Sequence, residues 1–245
     1  MISVCMATYN GEKYIKDQLL SILSQISDND EIIISDDGST DNTKDIVATL
    51  NDSRIIWIEN KGVHGFTANF ENALKHASGD IIFLSDQDDI WRSKKVEITL
   101  EKMKIYDFVI SDCITVDNCG NVLQDSRFKS FGVKKGIIRH FIKSRYLGCC
   151  MAFKKEVLNV ALPFPKKYNL VEHDIWLALI GMCFFNFDLI HEPLIYYRRH
   201  MNNVSNGGFE KGYPLLNKLY RRLYRAFCLL LVYMRKKNDK YGGKM

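Results

Sequence analysis

The chain has 245 residues, 47% of them apolar and 26% charged, enough to bury one large α/β core without disulfides. The formal net charge of +5 is unevenly spread: from Lys211 onward there are ten Lys/Arg against Asp239 alone, leaving residues 1–210 with 24 basic and 28 acidic side chains. An acidic body gives no sign of nucleic-acid binding and confines any contact with a polyanion or an anionic membrane surface to the tail.

Seven cysteines make an odd count, none paired as Cys-x-x-Cys, and most lie in apolar runs where a reduced thiol behaves as a small hydrophobe. A reducing, cytoplasmic setting is expected. Met1-Ile2-Ser3-Val4 lacks the basic and apolar regions of a signal peptide, and no apolar run reaches the ~20 residues of a membrane span.

In chain order, Ile2–Ala7 reads as a strand ended by Thr8-Tyr9-Asn10-Gly11. A helix follows, with Ile15, Leu19, Ile22, Leu23 and Ile26 at helical spacing. Glu31–Ser35 is a second strand, ended by Asp36-Asp37-Gly38-Ser39, and Ile46, Val47 and Leu50 mark the next helix. Arg54–Ile58 is a third strand, and Phe66, Phe70, Ala73, Leu74 and Ala77 form one helical stripe. Ile81–Leu84 is a fourth strand, ended by Ser85-Asp86-Gln87-Asp88-Asp89. Short, wholly apolar strands alternating with helices predict a parallel sheet covered on both faces. Ligands of such sheets sit outside the carboxyl ends of the strands, so the three polar clusters should meet at one edge. The second half is less regular. Phe108–Ser111, Cys149–Phe153 and Leu194–Tyr197 are strand candidates, Asp117–Asn121 has turn chemistry, and 172–183 reads as a helix.

Asp86-Gln87-Asp88 offers two carboxylates, two residues apart, to one hard divalent cation; it can equally be a solvated acidic turn or cap a helix starting near Trp91. Asp37 can accept a pyrimidine imide N–H or merely shape a turn. Asp174, in Glu172-His173-Asp174-Ile175-Trp176, can be a general base or a helix N-cap. His200 can be a surface histidine or touch a metal or phosphate, with Arg198 and Arg199 as anion partners.

Taken together, Ser3–Asn10, Asp36–Asp41 and Asp86–Trp91 resemble the family-2 glycosyltransferases, which have the GT-A fold. Gly148–Phe153, Glu172–Trp176 and Tyr197–Ser205 resemble a bacterial, rhamnosyltransferase-like subgroup that builds cell-surface polysaccharides. The resemblance spans roughly residues 2–206. It implies an α/β, Rossmann-like, mostly parallel sheet flanked by helices, with residues 1–111 binding the nucleotide sugar and 112–210 the acceptor. Residues 211–245 form a basic amphipathic tail. It also implies an inverting transfer from a UDP- or dTDP-sugar to a glycan or lipid-linked acceptor, with Mn2+ or Mg2+.

The implied roles are donor binding by Ala7, Tyr9, Asp37, Asp86, Arg198 and Arg199, and metal binding by Asp88, Asp86 and His200. Many relatives carry Thr or Ser in place of Ala7, whose methyl offers no polar contact. Asp174 would be the catalytic base, with Glu172 as the alternative. A sugar-nucleotide pyrophosphorylase would carry a Gly-rich loop after the first strand, where this chain has the single Gly11. A non-catalytic nucleotide- or glycan-binding relative would have no need of Asp37, Asp86, Asp88 and Asp174 together. In the tail, Leu216, Leu219, Leu223, Phe227, Leu230 and Met234 form a helical stripe beside Lys218, Arg221, Arg222 and Arg225. This suits either a helix lying on the anionic inner face of the cell membrane, or one packed on the body or a second copy.

Overall fold

The computed structural model describes residues 1–200 and 214–242, with side chains of the last helix as far as Asn238. Met201–Ser205 of the last motif, and the junction near 210, lie outside the described residues.

Strands β1 (Ile2–Thr8), β2 (Glu31–Asp36), β3 (Ile55–Glu59) and β4 (Ile81–Asp86) are joined by α1 (Ile15–Leu23), α2 (Thr43–Thr49) and α3 (Phe66–Lys75). The four strands pair in parallel in the order β3-β2-β1-β4. Helices cover both faces, which is why Ile32, Ile33 and Ile34 are all fully buried although consecutive side chains point to opposite faces. Each such isoleucine contributes about 1.5–3 kcal/mol of burial.

The sheet continues through β5 (Ile90–Trp91), α4 (Lys95–Met103), β6 (Phe108–Val116), β7 (Val122–Gln124), α5 (Arg127–Phe131), α6 (Ile137–Ile142), β8 (Met151–Lys154), α7 (Lys155–Ala161), α8 (His173–Phe184) and β9 (Phe187–Arg198). β8 runs antiparallel between β4 and β6, and β9 returns parallel to β6, so one sheet runs β3-β2-β1-β4-β8-β6-β9-β5 with β7 hung on β6. Two local expectations change. Gly148–Cys150 is a 3-10 turn rather than the start of a strand, because Gly148 lies against the His173 ring: a Cβ there would stand 2.6 Å from Nε2. Trp91 lies in a strand, its N–H donating to Ser21 Oγ, and the helix begins only at Lys95. Neither Asp88 nor Asp89 is its cap.

The last helix, α9 (Leu215–Gly242), carries the expected stripe, but that stripe faces away from the body. Arg221, Arg225, Cys228 and Val232, at i, i+4, i+7 and i+11, are the buried face, while Leu216, Leu219, Leu223, Phe227, Leu230 and Met234 are each at least half exposed. The periodicity set the stripe correctly; the packing partner of the opposite face was invisible to it. None of the described helices is long and apolar enough to cross a membrane.

Candidate functional site

The ends of β1, β2 and β4 stand level, with Ala7 opposite Ser35 and Asp86, and Thr8 opposite Asp36. The three polar clusters therefore meet at one edge. Gln87, between the two aspartates, holds them together. Its Oε1 accepts from Thr8 Oγ1 (2.5 Å) and the Tyr9 N–H (3.0 Å), and its Nε2 donates to the Tyr9 carbonyl (3.0 Å). Gly11 makes room for this clasp, since a Cβ there would stand 2.4 Å from Gln87 Oε1. Tyr9 is left 55% exposed, its ring available to a planar group, while Ala7 is half-buried beneath.

The two adjacent aspartates divide their work. Asp36 closes its own turn, accepting from Gly38 N, Ser39 N and Ser39 Oγ, with Gly38 at φ +89°. Asp37 donates its N–H to the Thr8 carbonyl, and its carboxylate accepts from Asn60 Nδ2 (2.8 Å) and Gly65 N (2.7 Å) and meets His64 Nδ1 at 3.1 Å. A carboxylate has about four acceptor directions, so one is left for an incoming N–H. Asn60, His64 and Gly65 were not singled out in sequence, because a contact across 23–28 residues leaves no periodic trace.

An acidic group lies at the end of β4. Ligand atoms of Asp86, Asp89 and Cys149 fall within 4.8 Å of one another. Burial, then the charge of Asp88, pushes the Asp86 carboxyl up to about 7. Burial and the neighbouring Asp88 and Asp86 hold Asp89 well above the usual carboxylate range; its Oδ1 accepts the Arg198 N–H (3.0 Å), while Oδ2 has no hydrogen-bond partner among the described residues. Asp88 reaches His200 Nε2 at 2.7 Å. Arg198 Nε donates to the Asp88 carbonyl (3.0 Å), and its guanidinium lies 4.9 Å over the Tyr14 ring, on which His200 also stacks at 5.0 Å. The end of β9 is thus laid across the Asp86–Asp89 loop. Arg199 donates its N–H to the Val116 carbonyl (2.8 Å). Oxygen-rich donors with one imidazole suit a hard divalent cation, and the orphaned Asp89 Oδ2 marks a place where positive charge is wanted. Fully buried Lys95 supplies some of it from below, its Nζ 4.9 Å over the Trp91 ring. Nothing in its sequence context, within Ser93-Lys94-Lys95, marks it as other than a surface lysine.

Asp174 enters from the other half. It lies in the first turn of α8, its Oδ1 accepting from the adjacent Ile175 N–H (2.6 Å). The cap position belongs to Glu172, which makes no cap bond and pairs instead with Arg221 Nη2 (2.8 Å). Burial, then the Glu172 charge, pushes Asp174 up to about 7, against the pull of the Ile175 N–H and Arg225. The field of Asp174 in turn reaches Asp86. His173 points into the core, stacked on Phe70 at 4.2 Å; burial drives it down to about 3, so it stays neutral. Of the three residues, Glu172 is paired with Arg221, His173 is packed into the core, and Asp174 holds its carboxylate at the first turn of α8.

The glycosyl transferase family 2 model matches residues 3–161. The chain is 38% identical over 182 residues to UDP-Glc:alpha-D-GlcNAc-diphosphoundecaprenol beta-1,3-glucosyltransferase WfgD of Escherichia coli, covering 74% of this chain and 70% of that protein. Its fold is similar to S. aureus TarS 1–349 in complex with UDP-GlcNAc (TM-score 0.68, 20% identity, 86% of this chain and 61% of that one). It is also similar to the mannosyltransferase PcManGT of Pyrobaculum calidifontis in complex with GDP-Man and Mn2+ (TM-score 0.57, 19% identity, 100% and 76%). The chain spans about three fifths of the TarS structure.

Proposed function

Because the chain belongs to glycosyl transferase family 2, we propose that it transfers one sugar from a UDP- or dTDP-linked donor to a glycan or lipid-linked acceptor, with inversion, in cell-surface polysaccharide synthesis. The observation that carries this reading is the meeting of the Thr8–Tyr9, Asp36–Asp37 and Asp86–Asp89 clusters at one edge of the sheet, with Asp88 2.7 Å from His200. WfgD names a UDP-glucose donor and a diphosphoundecaprenol acceptor, which favours a uridine donor and a lipid-linked acceptor here.

Tyr9 stacks on the base and Asp37 accepts its imide N–H through the acceptor direction left to it. Asp86 and Asp88, with His200, would hold Mn2+ or Mg2+, the ion named with PcManGT being Mn2+. When bound, that ion supplies Lewis-acid charge to the departing diphosphate. Arg198 keeps the loop closed from above, and Arg199 adds positive charge at its rim. Asp174 takes the proton of the acceptor hydroxyl as that oxygen attacks the anomeric carbon from the face opposite the leaving group. With one base and no protein nucleophile, a single displacement inverts the centre.

Incubating the protein with UDP-, dTDP- and GDP-sugars plus Mn2+, and following nucleotide release, tests this; pyrimidine donors should be turned over in preference. Asp37→Ala should raise the donor KM and flatten that preference, since it also frees Asn60 and Gly65. An unchanged response to all three donors would reduce Asp37 to a turn residue.

The outward stripe of α9 adjoins α6, where Ile138 and Ile142 are also exposed and Arg222 donates to the Ile142 carbonyl. We assign this joint apolar face, edged by Arg139, Lys143, Lys218 and Lys237, to the anionic inner leaflet, each surface basic residue adding roughly 1 kcal/mol. Deleting the tail would expose the buried face of α9's partner, so a point change is the cleaner test. Leu223→Glu should leave the thermal midpoint nearly unchanged and weaken binding to phosphatidylglycerol vesicles. Equal binding by both proteins would remove the membrane assignment, and loss of a dimer would point to a second copy.

A further inference from the structure

We propose that Tyr14, at the start of α1, is a positioning residue for His200, its ring being the surface that holds the imidazole over the Asp86–Asp89 loop. The inference rests on Asp86, Asp88 and His200 forming the metal site.

One face of α1 is turned to the loop that carries this site. Tyr14, Gln18 and Ser21 lie at i, i+4 and i+7. Gln18, fully buried, donates from Nε2 to Ser85 Oγ (2.6 Å) and to the Asp86 carbonyl (3.2 Å). Ser21 Oγ accepts the Trp91 N–H (3.0 Å). These bonds fix the backbone at both ends of the loop. Tyr14, one turn before Gln18, contacts the end of β9 instead. Its own place is set by its N–H donating to the Gly11 carbonyl (3.0 Å), by its carbonyl accepting the Gln18 N–H (3.2 Å), and by the fully buried Ile15 that follows.

The half-buried Tyr14 ring carries two groups from β9. The His200 imidazole stacks on it with centroids 5.0 Å apart and planes 20° from parallel, and the Arg198 guanidinium stands 4.9 Å from the same centroid. Both residues also grip the loop. His200 Nε2 meets Asp88 Oδ2 at 2.7 Å, Arg198 Nε donates to the Asp88 carbonyl (3.0 Å), and the Arg198 N–H donates to Asp89 Oδ1 (3.0 Å). The Tyr14 hydroxyl has no hydrogen-bond partner among the described residues, so the ring face makes the contacts.

The ring matters because an imidazole turns about two bonds. A side chain gathered from several rotamers gives up more freedom on binding an ion than one already held, and binds it more weakly. Stacking on Tyr14 closes many of those rotamers and leaves Nε2 beside Asp88. Helix α1 thus sets the loop backbone through Gln18 and Ser21, and the imidazole through Tyr14.

The test is direct Mn2+ binding to the full chain, followed by electron paramagnetic resonance with UDP present, for Tyr14→Leu, Tyr14→Phe, His200→Ala and the Tyr14→Leu/His200→Ala pair. Circular dichroism confirms folding. Tyr14→Leu keeps the bulk and loses the ring face, so its Kd for Mn2+ should rise roughly 3- to 10-fold, the span of one stacked or cation–π contact. Tyr14→Phe keeps the face and should bind as the wild type does. With His200 already replaced, Tyr14→Leu should cost less than about twofold, a coupling that a merely structural role would not produce. A folded Tyr14→Leu with wild-type affinity overturns the proposal, as does an equal loss in Tyr14→Phe or a full loss without His200. Should Tyr14→Leu fail to fold, Tyr14→Gln decides by the same three criteria. Unchanged affinity in His200→Ala removes the metal assignment of His200 and the proposal with it, whereas a weakened His200→Ala beside an unaltered Tyr14→Leu refutes the positioning role alone.

Discussion

Asp174→Asn should bind donor normally and lose about 10²–10⁴ of turnover, the usual contribution of a positioned general base. Asparagine keeps the shape of the side chain, and its carbonyl oxygen can still accept from the Ile175 N–H, so the helix start should survive. A capping role would predict something different: Asn and Asp cap about equally well, and the cost would be a few tenths of a kcal/mol with activity intact. The pH dependence follows from the sign of the shift. With the Asp174 carboxyl at about 7, the base is ionised above that pH and protonated below it, so kcat/KM should fall as pH drops through 7. Near-normal transfer by Asp174→Asn, with Glu172→Gln inactive, would move the base to Glu172 in spite of its pairing with Arg221.

Chelation should be as damaging. Treatment with EDTA should abolish sugar transfer, and Mn2+ or Mg2+ should restore it, because several kcal/mol of charge stabilisation on the leaving diphosphate corresponds to 10²-fold or more in rate. Asp88→Asn should weaken donor and metal binding together, with a similar loss. Its carboxylate is the one that reaches His200, so His200→Ala should shift the metal concentration needed for half-maximal rate in the same direction. Full activity in excess EDTA, or in Asp88→Asn, would show that the acidic group serves the fold alone.

The first half of the fold was legible because each strand is a short apolar run ended by a polar cluster, and each helix has an unbroken stripe. Those two signals also located Asp37, Asp86 and Asp88. The second half was obscure for physical reasons. Helices α5 and α6 are too short to display a period, and the β6–β9 pairing shifts register between Ser111 and Ile114, which breaks alternation. The 3-10 turn at Gly148–Cys150 answers to the His173 ring, 25 residues away, and no local pattern encodes it. The tail shows a different kind of shortfall. Its periodicity was plain, but an apolar stripe does not say which face will pack, and here the arginines face in, toward the Glu172 carboxylate and the Asn169 and Leu170 carbonyls.

The clasp between the first and fourth strand ends bears on how this chain can vary. Gly11 and Gln87 compete for one volume: any side chain at 11 displaces the amide that shapes the Thr8–Tyr9 backbone. Positions 76 residues apart are thus sterically joined: a side chain at 11 moves the Gln87 amide off Thr8 and Tyr9, and with it go the bonds that tie the loop after the first strand to the loop after the fourth.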